Sequence, residues 1–153
     1  MKRTTAKGLW HIKGRNYLRL DITGPFDLLL AQVFVTPERT VVINHSQKQV
    51  KEVLSTELID IHNVTVRPLD LVALMQKEVP RKALNHSGWS CSQNQSSWTC
   101  VQKDAKAAWI NPDQFFLEIP GKSLTVTVLN RVTLDTNSHF FEPKYPSHYL
   151  KQP

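Results

Sequence analysis

The chain has 153 residues, 41% hydrophobic and 21% charged, with a net charge of +6 and a pI near 9.5. That length can bury a real core within one domain, and the balance excludes a disordered or fibrous chain. The basic residues are scattered, with Lys2-Arg3, Lys48 to Lys51 and Arg81-Lys82 as the longest clusters. None makes a basic helix or an arginine-rich arm, so nucleic acid is not expected as a partner, and solubility or an anionic membrane surface remains as the reason for the charge.

Residues 2–12 read as a strand ending in Leu9, Trp10 and Ile12, and Lys13-Gly14-Arg15-Asn16 is a turn joining it to the next. From Tyr17 to His45 three apolar runs are separated by Gly24-Pro25 and by Pro37-Glu38-Arg39. Leu18, Leu20 and Ile22 alternate with Arg19 and Asp21, the period-2 pattern of a half-buried strand. Leu29 to Val35 and Val41 to Ile43 continue the theme, and an antiparallel meander of three strands follows. Its first turn is unusual, because Phe26, Leu28 and Leu29 stand where polar residues normally lie. Ser46-Gln47-Lys48 is a further turn and Gln49 to Val53 a short strand.

The period then changes, and a helical insertion is expected over about 54–79. Ser55-Thr56-Glu57 is read as the cap of a short helix, which Asn63 to Val66 leave. Arg67-Pro68-Leu69-Asp70 opens a clearer one, with Pro68 in the first turn and Pro80 as its stop. Leu69, Leu71, Val72, Leu74 and Met75 make it apolar over most of its circumference, so it needs cover on more than one side. It is either a plug for the mouth of a curved sheet or an ordinary core helix.

Strands resume at Trp89 to Gln93, Trp98 to Gln102, Ala107 to Ile110, Gln114 to Ile119 and, as one long strand, Lys122 to Leu134. Pro120-Gly121 is the turn before the last. The tail over 139–153 is irregular, but Phe140, Phe141, Tyr145 and Tyr149 suit packing on the body. About ten strands in one domain of 1–153 should curl into a barrel or fold into a sandwich. Leu30 and Phe34 against Leu29, Val33 and Val35, and Phe115 and Leu117 against Phe116, make strands apolar on both faces. Such sheets need covering twice or line a hydrophobic cavity.

Cys91 and Cys100 lie in WSCSQNQSSWTC, with Trp89 and Trp98 two residues before each. Folded as a hairpin with Gln93 to Ser96 at its tip, the segment brings the two cysteines together. A cross-strand disulfide would imply an oxidising compartment such as a bacterial periplasm. Two free thiols and half of a metal site are the alternatives, although CxxC spacing is absent.

Chemistry is sparse. His11, His45, His62, His86, His139 and His148 belong to no HxH, HExxH or nucleophile motif, and His45 and His62, next to turns, are read as solvated. Asp21 and Asp27 flank the Gly-Pro turn as solvating or capping carboxylates. No enzyme activity, cofactor or metal is expected. No apolar run approaches the ~20 residues of a spanning helix. Met1-Lys2-Arg3 resembles the start of a signal peptide, but polar residues follow. Either the protein is cytosolic or a targeting segment precedes residue 1, and a strand pattern beginning almost at once favours the second.

The order of motifs resembles the LolB family of outer-membrane lipoprotein receptors. LRLDITGPFD (Leu18 to Asp27) is similar to the family's strand and Pro-hydrophobic-Gly loop, and LLLAQVFVTPERTVVIN (Leu28 to Asn44) to its following strand pair. VTVRPLDLVALMQKEVPR (Val64 to Arg81) is similar to its segment leading into a helix, and Lys122 to Leu134 to its closing long strand. The resemblance implies a mainly β fold, a curved antiparallel sheet forming a half-open β-barrel of the LolA/LolB type with a short helical lid. It implies a hydrophobic cavity for the acyl chains of lipoproteins, received from a LolA-like periplasmic carrier and inserted into the inner leaflet of the outer membrane. Leu20, Ile22, Leu30, Phe34, Leu71, Leu74, Met75 and Phe116 are then the candidates for cavity and lid. Gly24, Pro25, Phe26, Asp27 and Leu28 match the membrane-insertion loop, with Phe26 as its projecting residue. Read from the residues alone, Phe26 either projects or folds back over Leu28 as a plug. The resemblance also implies the periplasmic face of the outer membrane and an N-terminal lipidated Cys, which would lie before residue 1. The family has Gly after the projecting hydrophobic residue, where this chain has Asp27. A non-catalytic periplasmic scaffold with a filled core is the alternative.

Overall fold

A computed structural model of the chain describes residues 6–61, 64–76, 88–95, 97–132 and 137–152. The chain divides into two compact units, one built from 1–56 with 136–153 and the other from 57–135.

The first unit is a six-stranded sheet in the order β1-β2-β3-β4-β5-β13. Its strands are β1 (Lys7–Lys13), β2 (Tyr17–Thr23), β3 (Leu29–Val35), β4 (Arg39–Asn44), β5 (Gln49–Leu54) and, from the tail, β13 (Leu150–Gln152). The first five form the expected meander. Gly14 at φ 58° makes the first turn in the left-handed region. β13 joins in parallel beside β5, pairing Leu150 with Gln49. Cross-strand pairs share a face. One face carries Trp10, Ile12, Leu18, Leu20, Ile22, Ala31, Val33 and Val35, paired across β1, β2 and β3. The other carries Phe34, Val41, Ile43 and Val50 as a buried cluster, against which Tyr145 and Tyr149 of the tail pack. Phe141, fully buried, meets Tyr17 at 5.4 Å between ring centroids. The aromatic tail thus packs on the body, as expected.

The second unit holds a five-stranded antiparallel meander, β8 (Ser90–Asn94), β9 (Ser97–Gln102), β10 (Ala105–Asn111), β11 (Gln114–Ile119) and β12 (Lys122–Thr127). A two-stranded ribbon, β6 (Ile59–Ile61) with β7 (Val64–Val66), and the helix α1 (Pro68–Leu74) accompany it. Trp98, Cys100, Ala107, Trp109 and Phe115 share the buried face of this sheet. Trp109 Nε1 donates to the carbonyl of Leu74 at 3.0 Å, tying α1 to that face. Gln102 donates to and accepts from the backbone of Thr65, at 3.0 and 2.9 Å, doing the same for the ribbon.

The mainly β expectation holds. A single curved sheet does not form among the described residues: the strands fall into two sheets and a ribbon, and neither sheet closes on itself. The short helix expected at Ser55 is a turn instead. Ser55 is fully buried, its hydroxyl 2.8 Å from Thr40 Oγ1 and its N–H donating to Glu38 O, so it anchors the end of β5 and caps no helix. The strand expected to reach Leu134 ends at Thr127, because among the described residues β12 pairs only with β11 and the register runs out at Gln114. Val128 N–H then turns to Asp113 O at 2.8 Å. The hairpin tip is tighter than expected. Gln93 and Asn94 stay in β8, opposite Trp98 and Ser97. Pro80, Arg81-Lys82, His62, His86, Lys2-Arg3 and Leu134 lie outside the described residues.

Candidate functional site

Gly24 to Leu28 join β2 to β3 in a tight turn. Gly24 N–H donates to Leu28 O at 2.9 Å and Leu28 N–H to Pro25 O at 3.3 Å, so the loop is closed at its base. With the base fixed, the remaining residues must reverse direction quickly. Phe26 (φ 60°) and Asp27 (φ 56°) do so in the left-handed region. A non-glycine residue there costs on the order of 1–2 kcal/mol, least for Asp and Asn. The result is a ring pushed outward: Phe26 is 103% exposed and Leu28 64% exposed. Phe26 therefore does not fold back as a plug. Gly24 stands where a Cβ would come within 2.8 Å of Leu30 Cδ1, which explains a residue without a side chain at the foot of the loop. Leu30 itself lies at the register shift between β2 and β3, where Ile22 faces Ala31 and Thr23 faces Leu29.

The candidate cavity residues separate. Leu20 and Ile22, half-buried, lie on the face shared with Trp10, Ala31 and Val33. Phe34 lies on the opposite face, buried beneath the tail. In the second unit Leu74 is buried and Leu71 and Met75 are half-buried. Phe116 pairs with Ala108, on the side of the sheet away from Trp109 and so away from α1. Within the first unit Phe34 thus lies on the other face from Leu20 and Ile22, and within the second Phe116 lies on the other side of the sheet from α1.

A polar chain runs under the tail, and no sequence motif marks it. Gln32 Nε2 donates to Asp21 Oδ1 at 2.9 Å. Its Oε1 therefore accepts from His45 Nε2, 2.8 Å away. A neutral His45 then accepts at Nδ1 from the Tyr149 hydroxyl, 2.9 Å away. Arg19 completes the chain, with Nε 3.2 Å from Asp21 Oδ1 and its guanidinium 4.5 Å from the Phe140 ring centroid. His45 is thus half-buried and bonded at both ring nitrogens, where solvation was expected. The available signal was Gln32, a lone polar residue inside an apolar strand. A cleft of about 340 Å³ opens beside this chain, with Arg19, Gln32 and Phe34 on one side and His139, Glu142 and Lys144 on the other. Its mixed charge favours no one ligand class.

Cys91 and Cys100 form a disulfide, directly opposite one another on β8 and β9. Of the three readings of this pair, the disulfide is the one realised. Among the described residues no helix is long and apolar enough to cross a membrane. No protein-family model matches the chain, and no curated protein matches it.

Proposed function

We propose that this chain is a non-catalytic lipoprotein-binding protein of LolB type, which takes acyl chains from a LolA-like carrier and passes the cargo to the inner leaflet of the outer membrane. The observation that carries the reading is the face of the six-stranded sheet opposite the tail. Trp10, Ile12, Leu20, Ile22, Ala31 and Val33 form a half-buried apolar surface across three strands, beside Leu18 and Val35, which are fully buried on the same face. The tail packs on the opposite face. An acyl chain laid on such a surface gains about 0.8 kcal/mol for each methylene removed from water. The projecting Phe26 supports the membrane half of the reading, since an aromatic at a loop tip can enter the lipid interface. The disulfide supports an oxidising compartment such as the periplasm. A half-open barrel with α1 as its lid belongs to this reading as its finer architecture.

The test is delivery. Protein preloaded with a fluorescent triacylated lipopeptide is mixed with vesicles, and transfer is followed for the natural chain, Phe26→Glu and Ile22→Glu. Ile22→Glu should lose loading, whereas Phe26→Glu should load normally and fail to deliver. Normal loading and delivery by both variants contradicts the reading. The second reading, a scaffold with a filled core, is favoured by Phe34 and Leu74, which are spent on packing. It predicts no loading by any variant.

A further inference from the structure

The pairing of the six-stranded sheet decides what else stands at the end that bears Phe26. β1 enters there, with Lys7 opposite Thr23. The turn after β4 lies there too, because Asn44 pairs with Ala31 near the start of β3. That turn ends at Lys48, whose carbonyl accepts from Leu150 N–H at 2.9 Å where β13 begins. Lys151 follows, level with Val50. One end of the sheet therefore gathers Phe26, Leu28 and Leu150, which are exposed apolar side chains, with Lys7, Lys48 and Lys151, which are exposed cations. Adjacent strands are about 4.8 Å apart, so these groups spread over roughly 25 Å. Asp27 is the carboxylate in the loop among them. None of the three lysines has an ion-pair partner among the described residues.

We propose that Lys7, Lys48 and Lys151 form a cationic rim that docks this end of the sheet on anionic lipid headgroups, placing Phe26 and Leu28 at the hydrocarbon boundary. The proposal rests on the membrane half of the function above and adds its lipid selectivity. The chemistry divides between the two sets of residues. Apolar tips on a narrow convex loop enter a soft lipid interface. Lysines on flexible alkyl stems spread around them reach phosphates at different depths. Asp27 opposes entry of the loop, and the rim offsets it.

The experiment measures co-sedimentation with vesicles of phosphatidylcholine alone and of phosphatidylcholine with phosphatidylglycerol, at low and high salt. The chains compared are the natural one, Lys48→Gln, Lys151→Gln, the double variant, and Lys122→Gln on β12 as a control. The natural chain should prefer the anionic vesicles, and high salt should erase the preference. Each rim substitution should weaken anionic binding about fivefold, and Lys122→Gln should leave it unchanged. Lipopeptide loading without vesicles is measured in parallel. The double variant should retain it, which separates failure of the rim from failure of the acyl-binding reading. Equal binding to both vesicle types, or equal losses in Lys122→Gln and the rim variants, overturns the rim. So does a double variant that binds anionic vesicles as the natural chain does, or a natural chain that binds an acidic protein surface and neither vesicle.

Discussion

The side chains of His45 and Tyr149 meet at 2.9 Å, one on the turn after β4 and the other in the tail 104 residues later. This bond fixes the tail over the cluster of Phe34, Val41, Ile43 and Val50, against which the Tyr149 ring also packs. Tyr149→Phe keeps the ring and removes the bond, and should cost about 1 kcal/mol. His45→Ala should cost more, about 2 kcal/mol, because it strands the buried Gln32 carbonyl without a donor. Urea midpoints at constant m-value measure both, and an unchanged midpoint for His45→Ala contradicts the account.

Asp27 sits at φ 56°, a conformation that glycine adopts freely. Two effects oppose each other in Asp27→Gly: relief of the left-handed backbone, and the larger entropy of glycine in the unfolded chain. Stability should therefore change by no more than about 0.5 kcal/mol. Asp27→Val puts a β-branched residue in the same conformation and should cost about 1–2 kcal/mol. With the carboxylate gone, Asp27→Gly should also bind vesicles more tightly. Thermal unfolding and co-sedimentation check the pair, and a stable Asp27→Val contradicts the strained-loop description.

The Cys91–Cys100 disulfide closes a loop with a sequence separation of 9. Loop-closure entropy gives about 2.5 kcal/mol for a ring of that size. Trp89, Trp98 and Trp109 are buried in the same unit, so fluorescence reports on it. Denaturation with and without a reductant, and of the Cys91→Ala, Cys100→Ala double variant, should show that loss. Coincident curves contradict it.

Trp109 holds α1 through the carbonyl of Leu74. Trp109→Phe keeps an aromatic ring in the cluster with Phe115 but removes the donor, and should cost about 2 kcal/mol. Denaturant unfolding measures the loss. A change below about 0.5 kcal/mol would place the anchorage of α1 elsewhere.

The sequence shows the meander of the first unit closely, because Leu18, Leu20 and Ile22 alternate with Arg19 and Asp21 and the turns carry Gly, Pro and Asn. β6, β7 and β13 are three residues each, too short for a period to declare itself. α1 is shorter than its apolar pattern suggests, since Leu71, Leu74 and Met75 recur as they would in a longer helix. The Phe26 loop was visible as apolar residues at a turn. Its left-handed backbone was foreshadowed at Asp27 alone, where the resembled family has Gly, and nothing in the sequence marked it at Phe26. Nor did it mark the Asp21–Gln32–His45–Tyr149 chain, whose first three members are joined by the register of the meander and whose last comes from the tail, 104 residues from His45.

Native mass spectrometry with a triacylated lipopeptide and its unlipidated twin tests the central claim most directly. The account predicts a one-to-one adduct with the acylated peptide alone, lost in Ile22→Glu and kept in Phe26→Glu. Equal binding of the two peptides, or binding of neither, would contradict it.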